Sequence, residues 1–249
     1  NYYEAIEYSF AALLHNKPSA KKPTRILVAG CGTGQHALSI AHRYDHVAVT
    51  AVDISMASLA YAKRMAQQYH INNIEFVQCD ILSIEALSRT FDIIESVGTL
   101  HHMESPEDGL RALTKVLAPG GILRIGLYSN LARRALNDIR SRFTEDLAAN
   151  FDLDKFRHIR NKILQQASID PVLESADFFS TSGCRDLLCH VQEHQLSITG
   201  IGSLLDNCNL AFEGFNFQSG RSSGISLYRK LHGENAAPNN LAGWNEVEQ

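Results

Sequence analysis

The spacing of apolar and polar positions divides the chain into an alternating half and a helical half. Arg25–Ala29 is a short apolar run, and His46–Val52 is apolar and β-branched. Ile74–Gln78, Phe91–Ser96 and Ile122–Tyr128 repeat the pattern, the last after the turn Pro119-Gly120-Gly121. Between these runs, Gln35–Tyr44, Met56–Tyr69 and Glu107–Leu117 have helical spacing and composition. Strands this apolar have no face left for water, so the strand–helix repetition predicts a parallel sheet with helices on both faces. Right-handed crossovers then restrict the topology to a Rossmann-like, doubly wound, mostly parallel α/β sheet.

The flanks follow other periods. Tyr2, Ile6, Phe10 and Leu13 recur at helical spacing, ahead of a polar, proline-bearing linker from Asn16 to Pro23. After Tyr128 the alternation stops. Leu131–Leu147 carries an apolar stripe at Leu131, Ala135, Ile139 and Phe143; Phe156, Ile159 and Ile163 mark a second helix, and Leu187, Leu188 and Val191 a third. This helical insertion after the fifth strand runs to about Gln195, where a mobile lid over the sheet's C-terminal edge would lie. A helix near Ile198–Leu205 and a strand at Leu210–Phe217 then resume the alternation. Ile225–Leu231 fits either a strand or a short helix, and Leu241, Trp244 and Val247 predict a terminal helix.

Composition narrows the class. Of 249 residues, 45% are hydrophobic and 20% charged, a globular balance that excludes disorder and collagen-like repeats. The net charge of −4, with both signs mixed, speaks against nucleic acid as a partner. Five cysteines (Cys31, Cys79, Cys184, Cys189, Cys208) at scattered spacings, with no CxxC, read as reduced thiols. No apolar stretch is long enough for a bilayer and no signal peptide precedes the first helix, so a cytoplasmic protein without membrane partners is expected. The chain opens at Asn1, which suggests a domain attached to a further one in a longer protein.

Candidate chemistry collects at the ends of the first three strands. Residues 26–34 read Ile-Leu-Val-Ala-Gly-Cys-Gly-Thr-Gly, a buried strand entering a glycine-rich turn and then a helix. Gly30 and Gly32 permit a tight turn and close approach of backbone to a ligand, and the helix from about Gly34 offers unpaired N–H groups to an anion. The alternative is a tight turn with no ligand. Asp53 ends the second strand, where a carboxylate facing a cleft, unpacked, can accept from two ribose hydroxyls. Capping the next helix, its alternative role, falls better to Ser55. Asp80 ends the third strand and can accept from an adenine amino group between the apolar walls Ile54 and Ile81, or it caps the short helix after it.

With these residues in place, the sequence resembles the class I S-adenosylmethionine-dependent methyltransferases. Ile26–Gly34 looks like their first motif, which implies cofactor contacts at Ala29, Gly30, Cys31, Gly32, Thr33 and Gly34. Val52–Ile54 resembles their acidic loop and Cys79–Ile81 their third motif. Phe91–His102 is similar to the fourth, bringing in Ser96, and Leu117–Gly121 matches the turn before their fifth strand. More narrowly, Gly126–Ser129 and Cys184–Leu188 resemble methyltransferase domains that follow tetratricopeptide arrays in bacterial proteins. Those relatives finish with one more strand, which puts the seventh strand of this chain in question.

The resemblance implies a single methyltransferase domain over 1–249. Its parts are an N-terminal helix and linker (1–22), a cofactor-binding half (23–128), the helical insertion (129–195), and remaining sheet elements with a C-terminal helix (196–249). Its cofactor would be S-adenosyl-L-methionine and its product S-adenosyl-L-homocysteine. His101 and His102 have the chemistry of a general base, or they shape the pocket and hydrogen-bond to backbone. Tyr128 and Ser129, just past the fifth strand, and Arg133 are candidates for touching substrate. No metal is expected: Cys184, Cys189, His190 and His194 lack a completing carboxylate. Basic residues of the insertion interleave with acids, which fits a solvated helix face with i,i+4 pairs, while an anionic partner stays open.

The function expected is methyl transfer to an O or N nucleophile of a protein or small-molecule acceptor. Its rivals are a non-catalytic cofactor-binding or partner-interaction module and an aminopropyltransferase, whose polyamine channel the Arg-bearing insertion speaks against. Gln35, where a dinucleotide fingerprint wants a small residue, disfavours a nicotinamide dehydrogenase.

Overall fold

The computed structural model describes residues 24–143, 153–166, 175–189, 192–216 and 223–248. The chain divides into two compact units, one comprising residues up to Leu127 with those from Ile198 onward, the other Tyr128–Ser197. The predicted N-terminal helix and the positions His190, Val191 and Phe217 lie outside the described residues.

The first unit is built on five parallel strands: β1 (Thr24–Ala29), β2 (Val47–Asp53), β3 (Ile74–Gln78), β4 (Phe91–Val97) and β5 (Leu117–Gly126), in the order β3-β2-β1-β4-β5. The order reverses direction at β1, which places the β1 and β4 ends at a topological switch point. Strand periodicity sorts the core. Ile26 and Val28 of β1 join Val49, Ala51 and Ile93 on one face, against Ala37, Ile40 and Ala41 of helix α1 (Gln35–Arg43). Leu27 and Ala29 join Val52 and Ile94 on the other, with Leu110 and Leu113 of a helix before β5. Each fully buried Leu or Ile contributes about 1.5–3 kcal/mol.

Side-chain caps set the helix starts. In α2 (Met56–Gln68) the Ser55 Oγ accepts from Ser58 N, and in α3 (Pro106–Lys115) the Ser105 Oγ accepts from Asp108 N behind a first-turn proline. At the C-terminal end of α1, Asn73 Nδ2 donates to Ala41 O and Tyr44 O at 2.9 and 3.0 Å, occupying carbonyls the helix leaves unpaired. Helix α3 stops before Leu117 because Leu117 already pairs with Phe91.

That pairing corrects the expected turn. Pro119-Gly120-Gly121 lies inside β5 as an irregularity, since the register jumps from Phe91↔Leu117 to Ile93↔Ile122 and Gly120 takes φ +69°. The fifth strand also ends at Gly126, short of the expected Tyr128.

In the second unit, β6 (Tyr128–Ser129) pairs in parallel with β7 (Gln195–Leu196), a small sheet that the largely helical reading missed. Helices α4 (Arg134–Arg142), α5 (Leu153–Gln166) and α6 (Thr181–Cys189) surround a core of Leu136, Ile139, Phe143, Phe156, Ile159, Ile163, Phe178, Cys184 and Leu188. The α4 stripe is Leu136, Ile139 and Phe143, with Leu131 exposed ahead of the helix. Residues 130–133 form a turn there, with Arg133 N donating to Ser129 O, so the helix starts three residues later than its pattern suggests. Its expected far end, toward Leu147, lies outside the described residues.

The first unit is completed by α7 (Ile198–Asn207), α8 (Ser223–His232) and α9 (Leu241–Glu248). The strand expected at Leu210–Phe217 is not formed over 210–216: Leu210 and Phe212 pack on the core, but their backbone pairs with neither sheet. Ile225–Leu231 resolves as helix, its Tyr228 stacked on Trp244 at 4.6 Å. Among the described residues no strand joins the main sheet after β5.

Candidate functional site

The glycine turn is held by backbone bonds to the neighbouring strand. Gly30 N and Cys31 N both donate to Val52 O at 2.9 Å, and Gly34 N donates to Cys31 O at 2.9 Å. Gly30, Gly32 and Gly34 have φ of +74°, +53° and +81°, a region that side chains strain. Their surroundings differ. A Cβ on Gly30 would clash with Thr99 Oγ1, and one on Gly34 would stand 2.5 Å from the Ala62 Cβ, whereas one on Gly32 would meet nothing within 4 Å. Gly30 and Gly34 are therefore required by packing. Gly32 leaves a cradle that a ligand can enter.

Asp53 closes this turn from the end of β2. Its Oδ2 accepts from Gly32 N at 2.7 Å and its Oδ1 from Ser55 N at 2.8 Å. The carboxylate is thus engaged by backbone rather than idle in a cleft, which corrects the expectation of an unpacked side chain. An ionised carboxylate has about four acceptor positions, so each oxygen keeps capacity for a hydroxyl. Ser55, as expected, caps α2. The strand ends are tied together by Cys79 N to Asp53 O at 3.1 Å and Gln78 Nε2 to Ile54 O at 3.0 Å.

Asp80 caps the short turn Ile81–Leu87 through a 2.9 Å bond from Leu82 N to Oδ1. The capping alternative is therefore realised at one oxygen. Ile54 is 70% exposed, but Ile81 is buried in the core, and the exposed apolar neighbour is Leu82. Met56, the first residue of α2, also stands exposed. Neither Leu82 nor Met56 was singled out from the sequence. Cys31 and Cys79 sit beside these carboxylates; burial first and Asp53 second push the Cys31 thiol up to about 12, so it stays protonated. Thr33 is exposed.

From β4, Ser96 is fully buried and its Oγ has no hydrogen-bond partner. Thr99 packs on Gly30, its Oγ1 donating to Gly30 O at 3.4 Å. Glu95, also fully buried, pairs with His36 Nε2 of α1 and, at 3.2 Å, with Arg124 of β5. Burial alone would raise its carboxyl, but His36 and Arg124 hold it below the usual carboxylate range. The sequence carried a weak signal for this group: two acids, Asp92 and Glu95, interrupt the run Phe91–Ser96, and Glu95 is the one that is fully buried.

His101 is 1% exposed, and its Nδ1 donates to Gly126 O at 3.3 Å. His102 packs edge-on against it, ring centroids 4.1 Å apart. The backbone-bonded alternative therefore describes His101. In the second unit the Arg133 guanidinium lies 3.4 Å from the Tyr128 ring centroid and 3.6 Å from Glu193, which also binds Arg140 at 3.0 Å. Ser129 Oγ accepts from Ala132 N at 3.3 Å. Arg142–Asp138 forms an i,i+4 helix pair of the expected kind, and Arg157–Asp154 an i,i+3 pair. Among the described residues no cluster of three or more His, Cys, Asp or Glu could hold a metal, and no helix is long and apolar enough to cross a membrane.

Comparisons with known proteins bear on the same segment. Residues 20–183 match the family model described as a methyltransferase domain. An uncharacterised protein of Synechococcus is 38% identical over 133 residues, 53% of this chain and 32% of that one. A malonyl-[acyl-carrier protein] O-methyltransferase of Paenibacillus is 27% identical over 183 residues, 73% of this chain and 64% of that one. The structure of PKMT2 from Rickettsia typhi in complex with AdoHcy superposes with a TM-score of 0.65 at 18% identity, covering 93% of this chain and 47% of that one, and shares the fold. The chain thus spans between 32% and 64% of the length of these curated relatives.

Proposed function

The chain belongs to the methyltransferase-domain family, of the S-adenosylmethionine-dependent class I type, and from that premise we propose that it binds S-adenosylmethionine over Gly30–Gly34 and transfers its methyl group to an oxygen or nitrogen nucleophile. The observation that carries this reading is the cradle at Gly32, open to a ligand while its amide is held by Asp53. The remaining acceptor positions of Asp53 suit ribose hydroxyls. The free oxygen of Asp80, with exposed Ile54 and Leu82, suits an adenine ring and its amino group. The unpartnered Ser96 hydroxyl fits a polar group of the same ligand. The N-terminal end of α1, which no side chain caps, suits the methionyl carboxylate.

Bound there, S-adenosylmethionine supplies a methyl on a sulfonium, whose C–S bond breaks as an acceptor lone pair forms the new C–O or C–N bond and the departing pair neutralises sulfur. The protein's part is to hold the reacting atoms in line and dry. His101, occupied by Gly126 O, is a pocket former in this reading. His102, only half-buried, is the better candidate for a base where the nucleophile carries a proton. The malonyl acceptor in the relative's name favours oxygen, because a carboxylate attacks without prior deprotonation. Tyr128, Ser129 and Arg133 stay proposed acceptor contacts. The tie to tetratricopeptide-bearing proteins rests only on Gly126–Ser129 and Cys184–Leu188.

Isotope-labelled methyl transfer into a fractionated lysate tests the reading. Label in an alkali-labile ester identifies a carboxylate oxygen as acceptor, while alkali-stable label identifies a methyl ether or an N-methyl group, which mass spectrometry of the labelled product tells apart. No label with bound cofactor would leave a binding module instead.

A further inference from the structure

Resting on the cofactor reading above, we propose that Glu95 is a positioning residue: through His36 it fixes the first turn of α1 so that this turn meets the carboxylate end of the bound cofactor. Glu95 lies in mid-sheet, in register with Val28 on one side and Arg124 on the other. Apart from Arg124 and His36, that face carries apolar residues, among them Ile93, Val28 and Ala37. A carboxylate in such surroundings carries a desolvation penalty of several kcal/mol, and well-packed apolar residues serve a sheet as well or better. Stability therefore does not explain an acid here.

What the carboxylate does is join three elements. Its backbone belongs to β4, Arg124 reaches it from β5, and His36 reaches it from α1, two residues past Gly34. No side chain caps α1, so its opening turn is held from the side rather than from the end. Among the contacts that do this are the close packing of Gly34 against Ala62 and the His36–Glu95 pair. The same strand end also grips the start of the glycine turn through Thr99 on Gly30. Because His36 and Arg124 keep Glu95 ionised, the anchor is a fixed charge. A small rotation of that first turn would swing its amides away from a ligand carboxylate while leaving the nucleoside contacts of Asp53 and Asp80 in place.

Two ligands separate this role from a merely structural one. S-adenosylhomocysteine has the amino-acid tail; 5′-methylthioadenosine keeps the nucleoside and sulfur without it. Calorimetric titration of wild type, His36→Gln and Glu95→Gln with both ligands reads the difference. His36→Gln should weaken S-adenosylhomocysteine by about tenfold, one hydrogen bond to a charged group, and leave 5′-methylthioadenosine within about twofold. Glu95→Gln, which keeps the shape, should move the same ligand in the same direction. His36→Gln affects a partly exposed residue, so it remains informative if the Glu95 variant fails to fold. Equal loss of both ligands, or no loss of either, overturns the assignment. A wild type that binds neither ligand overturns the cofactor reading itself and the assignment with it.

Discussion

The three glycines of the turn make different demands, and substitution should separate them. Gly32→Ala meets no neighbour, so the apo protein should lose only the left-handed backbone penalty of about 1–2 kcal/mol, while cofactor affinity falls further because the methyl fills the cradle. Gly34→Ala adds a clash with Ala62 and should lose a further 1–3 kcal/mol or so from overpacking. Denaturant midpoints beside calorimetric affinities give both numbers; equal effects on binding and folding at Gly32 would remove the ligand from the cradle. Asp53→Ala strips acceptors from Gly32 N and Ser55 N, so it should cost the apo protein about 1–2 kcal/mol and the cofactor at least about tenfold in affinity. Asp53→Asn should fall between. Glu95 sets an acid limit. Its carboxyl is depressed in the folded state, so its contribution is fully present above the unfolded value of about 4.3 and is lost as pH falls through the lower folded value. Glu95→Gln should therefore flatten the acid limb of stability against pH, measured by urea midpoints below that window. The glycine turn, Asp53 and Asp80 stood out in the sequence because chain-local rules expose them: a strand end, a turn, an acid. Glu95–His36 did not, because their separation of 59 residues is closed only by the sheet.

At the scale of elements, β1, β2 and β4 and the helices beside them were legible from their apolar runs and stripes, and the half-exposed edge strand β3 from Ile74, Phe76 and Val77. The errors fall where the partner decides the structure. Leu210–Asn216 alternates like a strand, yet a strand needs a neighbour's free edge, and this segment packs its side chains without one. The Pro-Gly-Gly of β5 signals a turn, but pairing with β4 before it at Leu117 and after it at Ile122 absorbs it as an irregularity in the strand. Tyr128 and Ser129 are too few to show periodicity, and their partner strand is 67 residues away in sequence. The C-terminal helices supply a probe. Trp244 is the chain's single tryptophan, 4% exposed, stacked on Tyr228, with Nε1 donating to Pro238 O at 2.7 Å. Its fluorescence should report unfolding of the first unit. Trp244→Ala should destabilise that unit by about 3–5 kcal/mol, read by circular dichroism; a loss under about 1 kcal/mol would mean α8 and α9 are loosely attached.

The molecule as a whole consists of two units with separate cores, the second closed by Leu136, Phe156, Phe178 and their neighbours. Its helices are expected to exchange amide hydrogens faster than the five-stranded sheet. Hydrogen exchange should find residues 153–166 and 181–189 less protected than 26–29 and 92–95, and equal protection would make the two units one cooperative block. The central claim, a cofactor site on the glycine turn of the first unit, has a more direct test. Calorimetric titration of the purified protein with S-adenosylhomocysteine and with NAD should give saturable binding of the first at one site per chain and none of the second. With the ligand at 100 times its Kd, the Trp244-monitored unfolding free energy should rise by about 2.7 kcal/mol. Binding of NAD, or S-adenosylhomocysteine binding that Asp53→Ala leaves unchanged, would contradict the account.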